Sequence, residues 1–136
     1  MVKKEDRDES QQKLKVVTES IGLMDYTMQI TSNTKVFKPE YNWLTSAILS
    51  ETINIYRLVY SANETNLQND YETRIKRQKE AVKLCNNLKA DILVAHKIYH
   101  LREKRVVFWT NKVNGIKSLI QKWSESDKKR YNETKK

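Results

Sequence analysis

The chain has 136 residues, a single-domain length, and its two glycines and one proline are too few for the turns of a β-rich fold. One cysteine excludes an internal disulfide framework and fits a reducing, cytoplasmic environment. No run approaches the ~18 apolar residues of a membrane span, and the polar N-terminus is unlike a secretory signal. We therefore expect a cytoplasmic all-α protein with no membrane partner. Its low hydrophobic content, 38%, suggests that other subunits cover some apolar surface.

The net charge of +9 comes from the second half of the chain. Residues 1–70 hold 8 Lys or Arg against 10 Asp or Glu, whereas residues 71–136 hold 18 against 7. Such asymmetry indicates a polyanionic partner, of which nucleic acid is the commonest. The alternative interpretation is a solvated surface without a partner.

Apolar residues spaced three and four apart predict the first helix, with Ser10 as its N-cap. The buried stripe predicted for it consists of Leu14, Val17, Ile21, Met24 and Met28. A polar break over residues 31–39 ends it, and Pro39 suits the first turn of a second helix.

The second helix has a predicted stripe of Tyr41, Leu44, Ile48, Ile55, Leu58 and Ala62. Glu51 falls on the same stripe, and a buried carboxylate is costly unless it is paired. Glu51 therefore marks a polar contact between helices or, as we expect, lies at the edge of the stripe with its head group in water.

The third helix follows a polar connection over residues 63–70. Its predicted stripe consists of Tyr71, Ala81, Cys85, Leu88, Ile92, Ala95 and Tyr99. The fourth stripe consists of Val106, Trp109, Val113, Ile116, Ile120 and Trp123. Because no Gly or Pro lies between Tyr99 and Val106, periodicity permits either one continuous helix or a turn near residues 100–104. We predict a flexible N-terminus over residues 1–9, a four-helix bundle over 10–123 and a flexible basic tail over 124–136.

Nothing in the sequence predicts catalysis or a cofactor. It has no glycine-rich phosphate loop and no pairing of acidic residues suited to acid–base chemistry. His96 and His100 have the spacing of a metal-binding pair on one helix face, but a metal needs a third ligand, and a partly packed pair is the expected reading. Cys85 lies on an apolar stripe, where burial would make it inert. We therefore predict a non-enzyme with no metal site.

Basic residues carry the functional prediction. From Arg74 to Arg105 the chain holds 10 Lys or Arg against 3 Asp or Glu, which favours contacts to phosphate groups without sequence reading. The candidate nucleic-acid-binding residues are Arg74, Lys76, Arg77, Lys79, Lys83, Arg102, Lys104, Arg105 and Lys112. Tyr71, Tyr99 and Tyr131 lie near them and could stack on bases, although tyrosines of a bundle more often belong to the core.

Several segments resemble a known family. The helix end from Gly115 to Trp123 resembles the last helix of the accessory variability proteins (Avd) of diversity-generating retroelements. It is also similar to the wider four-helix-bundle family encoded within ribosomal RNA intervening sequences. Phe37-Lys38-Pro39 resembles the turn that precedes the second helix of that family. The segments 44–63 and 81–95 resemble its second and third helices, and the resemblance covers about residues 14–123.

The resemblance implies an antiparallel up-and-down four-helix bundle, and therefore a turn near residues 100–104. It further implies a basic homopentamer that is not catalytic, binds nucleic acid, whether RNA or DNA, and associates with a reverse transcriptase. That complex copies a template RNA into mutated complementary DNA. The sequence departs from the family pattern in its second helix, where Glu51 lies between Ser50 and Thr52 and Arg57 is the remaining cation. A protein-interaction bundle whose basic face docks an acidic protein is the alternative function.

Overall fold

The computed structural model describes residues 4–135, with side chains from Lys13 onward except that of Leu14. It contains four helices, α1 (Lys4–Thr31), α2 (Asn42–Glu64), α3 (Tyr71–Ile98) and α4 (Glu103–Thr134), with a 3₁₀ turn at Pro39–Tyr41 before α2. Consecutive helices pack together and α1 also packs on α4, which closes an antiparallel up-and-down bundle. The predicted all-α fold class is confirmed.

The predicted stripes of α3 and α4 form most of the core. All six residues from Val106 to Trp123 on the α4 stripe are buried, and the two tryptophans have no exposed surface. On α3 every predicted residue from Ala81 to Tyr99 is buried, while Tyr71 is half-buried. On α2, Leu44, Ile48, Ile55 and Ala62 are buried, Leu58 is half-buried and Tyr41 is 36% exposed.

The stripe predicted for α1 is wrong. Ile21 and Met28 are 44% and 56% exposed, and Leu14 lies outside the described side chains. The buried face of α1 instead consists of Val16, Ser20, Leu23, Thr27 and Ile30. This face alternates apolar residues with hydroxyl residues, so counting apolar residues alone selected the neighbouring stripe.

Hydrogen bonds explain why hydroxyl groups occupy the buried face of α1. Ser20 donates through its hydroxyl to the carbonyl of Val16 at 2.7 Å. Thr27 accepts at Oγ1 a hydrogen bond of 3.2 Å from the indole Nε1 of Trp109 in α4. A buried polar group is tolerated once it is hydrogen-bonded, and here the partners are the helix backbone and the largest core side chain.

A turn separates α3 from α4, which decides between the two readings of that region. His100 has a positive φ of 54°, a left-handed conformation typical of helix C-termini. The Leu101 N–H donates to the His96 carbonyl, a bond that closes the end of α3, and the Leu101 side chain is buried. The turn implied by the family resemblance is therefore present, and α4 begins at Glu103.

The predicted boundaries of the bundle are too narrow. The last helix was predicted to end at Trp123, but α4 continues to Thr134. Ser124 and Asp127, in the added turns, are buried. Its last turns pack on the start of α3, where the rings of Tyr71 and Tyr131 stack with centroids 3.8 Å apart. At the other terminus α1 begins at Lys4 rather than Ser10, and the first three residues of the segment predicted as flexible lie outside the described chain.

Glu51 makes a polar contact between helices rather than lying free at the edge of a stripe. It is half-buried and hydrogen-bonds Asp91 of α3. Burial, together with the hydrogen bond and the negative charge of Asp91, raises the pKa of Glu51 to about 8. Glu51 is therefore mostly protonated at neutral pH. No helix in the described part of the chain is long and apolar enough to cross a membrane.

Candidate nucleic-acid interface

The predicted basic residues lie at two opposite ends of the bundle. Lys76, Arg77 and Lys79 are in the first turns of α3, whereas Arg102 and Arg105 follow its last turn. At about 1.5 Å per helical residue, the two groups are separated by about 30 Å along the bundle. The residues predicted to line one phosphate-binding surface therefore form two separate basic clusters, which a single small ligand cannot contact together.

Arg74 does not belong to an exposed phosphate-binding surface. It is only 3% exposed, and its Nε and Nη2 donate to the two carboxylate oxygens of Asp127 at 2.7 and 3.0 Å. Its Nη1 donates to the carbonyl of Thr65, and its guanidinium lies 5.3 Å from the ring centroid of Trp123. With its donors engaged inside the protein, Arg74 holds α3, α4 and the end of α2 together, which disfavours the predicted contact with phosphate.

Arg77 also serves the fold. It is half-buried, and its Nη1 donates to Thr65 Oγ1 at 2.6 Å and to the Ser61 carbonyl at 3.4 Å. Both acceptors lie at the C-terminal end of α2, where orphan carbonyls and the helix dipole favour a cation. Arg77 therefore caps α2, and only the remainder of its guanidinium is left for a phosphate.

The lysines of α3 form an exposed face. Lys76, Lys79 and Lys83 are spaced three and four apart, which puts them on one side of the helix, and all three are exposed. Lys128 of α4 lines a groove together with Lys76 and Lys79. We call these four residues the lysine face. Sequence reasoning missed Lys128 because it assigned residues 124–136 to a tail.

Lys112 lies on a different side of the molecule. It is half-buried, with its Nζ 5.6 Å from the ring centroid of Tyr26 and 5.2 Å from that of Phe108. It lines the groove between α1 and α4 with Lys15 and Glu19. The structure therefore does not bring Lys112 together with the lysine face.

The second basic cluster surrounds the turn between α3 and α4. Arg102, Lys104 and Arg105 are all exposed. Arg102 and Arg105 line a surface cavity together with Lys35 and Lys38 from the connection between α1 and α2. No periodic pattern marks these two lysines in the sequence, and only the fold places them beside the arginines.

The tyrosines named for base stacking belong mostly to the core. Tyr99 is buried, and its hydroxyl is hydrogen-bonded to Thr45 Oγ1 at 2.7 Å and to the Tyr41 carbonyl at 2.8 Å. Tyr71 and Tyr131 cover one face of each other. These three tyrosines therefore stabilise the fold rather than offer a ring for base stacking. Tyr41, in contrast, is 36% exposed.

The positions of the two histidines and the burial of the cysteine disfavour a reactive site at these residues. His96 is in α3, but His100 lies beyond its end, so the two no longer share a helix face. Among the described residues, no cluster of three or more His, Cys, Asp or Glu side chains could hold a metal ion. Burial raises the pKa of the Cys85 thiol to about 12, against the opposing charges of Lys117 and Lys89. The reactive thiolate is therefore disfavoured.

No known protein family, curated protein or solved structure is significantly similar to this chain. The likeness to accessory variability proteins rests on the segments quoted above.

Proposed function

We propose that this chain is a non-catalytic nucleic-acid-binding accessory protein that associates with a retroelement reverse transcriptase and supports template-RNA-primed mutagenic cDNA synthesis. The observation that carries the nucleic-acid part is the lysine face. Its four ammonium groups stand on adjacent helices, and none has a carboxylate within salt-bridge distance among the described residues. The association with a polymerase is taken from the family resemblance.

Phosphate binding by the lysine face has a characteristic dependence on salt. Each neutralised phosphate of a single strand releases counterions and contributes about −0.7 to the slope of log affinity against log salt. Four lysines therefore give a slope of about −3, with little preference for base sequence. The second basic cluster adds to this slope when a strand is long enough to span the ~30 Å between the clusters.

Fluorescence anisotropy with a labelled RNA at several salt concentrations tests this proposal. The variant Lys76→Glu/Lys83→Glu reverses two charges on the lysine face, and Lys15→Glu/Arg57→Glu makes the same change at exposed positions of α1 and α2. We expect the first variant to bind more weakly with a slope reduced by about 1.4, and the second to keep the native slope. Equal slopes in the two variants would exclude the lysine face from RNA binding.

Self-association is the second part of the proposal. The stripe that the sequence predicts to be buried on α1 is instead exposed at Ile21 and Met28, and α2 exposes Tyr60 to 50%. Exposed apolar surface of this kind commonly marks a protein interface. The family resemblance implies a homopentamer. Sedimentation of the native protein and of Ile21→Asp/Met28→Asp tests this, and a native chain that sediments as a monomer at high concentration would contradict it.

The polymerase part is tested by co-expression. A reverse-transcriptase gene in the DNA that flanks the gene of this chain would supply the partner. We expect the two proteins to co-purify, and cDNA synthesis by the reverse transcriptase to depend on this chain. Template RNA copied equally well in its absence would refute an accessory role.

A protein-docking function is the alternative, and one observation favours it. Leu93 and Val94 on α3 are 60% and 41% exposed, and Val107 on α4 is 50% exposed. Leu93 and Val94 follow Lys83 and precede Arg102 along the chain. Exposed apolar side chains suit an acidic protein that carries apolar anchors better than they suit a nucleic-acid backbone. This alternative predicts no RNA affinity above background at physiological salt, and loss of protein binding in Leu93→Asp.

A further inference from the structure

A surface cavity of about 530 Å³ lies at the end of the bundle where the first and the third of the three connections between helices meet. One wall comes from the connection between α1 and α2, and the other from the turn between α3 and α4. Its volume falls in the range of ~300–1,000 Å³ common for small-molecule sites. We call it the end cavity.

The floor of the end cavity is held in place by the core. Tyr99 lines it, and its hydroxyl is fixed between Thr45 and the carbonyl of Tyr41. The Phe37 ring packs 4.7 Å from that of Tyr99, centroid to centroid. On the opposite wall, the left-handed conformation of His100 reverses the chain so that Leu101 points inward and Arg102 outward. The floor of the cavity is therefore preformed, which lowers the conformational entropy that is lost when a ligand binds.

The walls of the end cavity carry one sign of charge. Lys35, Lys38, Arg102 and Arg105 all line it, and no acidic residue does. Within the described part of the chain, none of the four has a carboxylate at salt-bridge distance. Four cations brought together without a counter-charge repel one another, and an anion held between them relieves that repulsion.

The cavity also has an aromatic wall. Tyr41 lines it and is 36% exposed, with its ring held edge-on to Tyr99 at a centroid distance of 6.0 Å. The cations of such a site bind a multiply charged anion, and its aromatic ring stacks on a flat aromatic group. A nucleotide carries both of these groups.

We propose that the end cavity binds one nucleotide of a single strand, with its phosphate between the cations of the two turns and its base on the Tyr41 ring. That the nucleotide belongs to a strand rests on the proposed nucleic-acid function. That the cavity binds a nucleotide does not depend on that function. A base paired inside a duplex has no free face for Tyr41, so the site selects single strands or strand ends.

Isothermal titration of the purified full chain with AMP, and with inorganic phosphate as a competitor, tests the proposal. Lys35→Ala/Lys38→Ala removes two cations from the end cavity, and Lys15→Ala/Arg57→Ala removes two exposed cations of α1 and α2 as the matched control. All four positions are exposed, so both variants are expected to fold, which thermal melting would verify. Tyr41→Ala removes the aromatic wall while its backbone carbonyl still accepts from Tyr99.

We expect AMP to bind more tightly than inorganic phosphate, because phosphate gains nothing from the aromatic wall. Affinity should fall at least tenfold in Lys35→Ala/Lys38→Ala, remain within about twofold in the control, and fall about tenfold in Tyr41→Ala. No AMP binding at millimolar concentration, or an equal loss in Lys35→Ala/Lys38→Ala and in the control, would overturn the proposal.

The same proteins titrated with single-stranded RNA separate the two proposals. RNA binding without AMP binding would overturn the end cavity and leave the lysine-face proposal standing. AMP binding without RNA binding would support a nucleotide site and refute the proposed nucleic-acid function.

Discussion

The buried pair of Arg74 and Asp127 gives the sharpest test of how this bundle is held together. Arg74 Nε and Asp127 Oδ2 are 2.7 Å apart, and the two side chains are 3% and 0% exposed. Gln78 donates a third hydrogen bond of 2.7 Å to the same carboxylate. Asp127→Ala would leave a buried guanidinium without its counter-charge, and a buried amide without its acceptor.

The expected loss of stability follows from the cost of an uncompensated buried charge. Breaking a buried ion pair from one side costs about 3–5 kcal/mol, against a total of about 5–15 kcal/mol for a small domain. At about 3–5 °C per kcal/mol for a chain of this size, Asp127→Ala should melt roughly 10–20 °C below the native protein. Circular dichroism during thermal and urea unfolding measures both quantities. Glu125→Ala, at an exposed position of the same helix, is the control and should change stability by less than about 0.5 kcal/mol.

A double variant separates the net value of the pair from the cost of breaking it. Arg74→Met/Asp127→Leu removes both charges and keeps apolar volume, so it should be clearly more stable than Asp127→Ala. If Asp127→Ala lost less than about 1 kcal/mol, the pair would not be desolvated as its burial indicates. If the double variant were as unstable as the single one, lost packing rather than an unpaired charge would be the cause.

Three further predictions concern residues outside the basic clusters. The pKa of Glu51 is raised from 4.5 to about 8, so the folded chain keeps a proton that the unfolded chain releases, and stability falls as pH rises through that range. Glu51→Gln should therefore gain stability relative to the native protein in urea titrations from about pH 5 to pH 9, and a pH-independent difference would contradict this. Thr27→Val leaves the buried indole N–H without its acceptor and should cost about 1–3 kcal/mol in thermal melts, whereas the exposed Thr18→Val should cost almost nothing. A chain ended after Trp123 lacks Asp127, and calorimetry should find it no more stable than Asp127→Ala.

Hydrophobic periodicity predicted the helices because burial of large apolar side chains dominates their placement. The α4 stripe was predicted without error, since six large apolar residues at helical spacing leave only one face that can turn inward. On α1 the same argument failed. Its inner face contains Ser20 and Thr27, whose hydroxyl groups become compatible with the core only through partners that apolar spacing does not reveal.

The candidate site could be predicted only in part, because a sequence gives the charge of a side chain but not its partners. Lys76, Lys79 and Lys83 share a helix face by spacing alone, and they are exposed as the spacing suggests. Arg74 has the same charge and a neighbouring position, yet Asp127, 53 residues later, takes its donors. From the sequence alone, an arginine whose hydrogen-bond acceptor lies on another helix cannot be distinguished from an exposed arginine that could bind a phosphate.

The sequence by itself determined the all-α class, the buried stripes of α2, α3 and α4, and the basic character of the second half of the chain. These properties follow from local spacing and composition, which act within one helix. Only the tertiary structure decided that the chain reverses at His100, that α4 extends beyond Trp123 to bury Asp127, and that Lys35 and Lys38 meet Arg102 and Arg105 around one cavity. Each of these depends on contacts between residues far apart in the chain, whose free energies exist only once the helices have packed together.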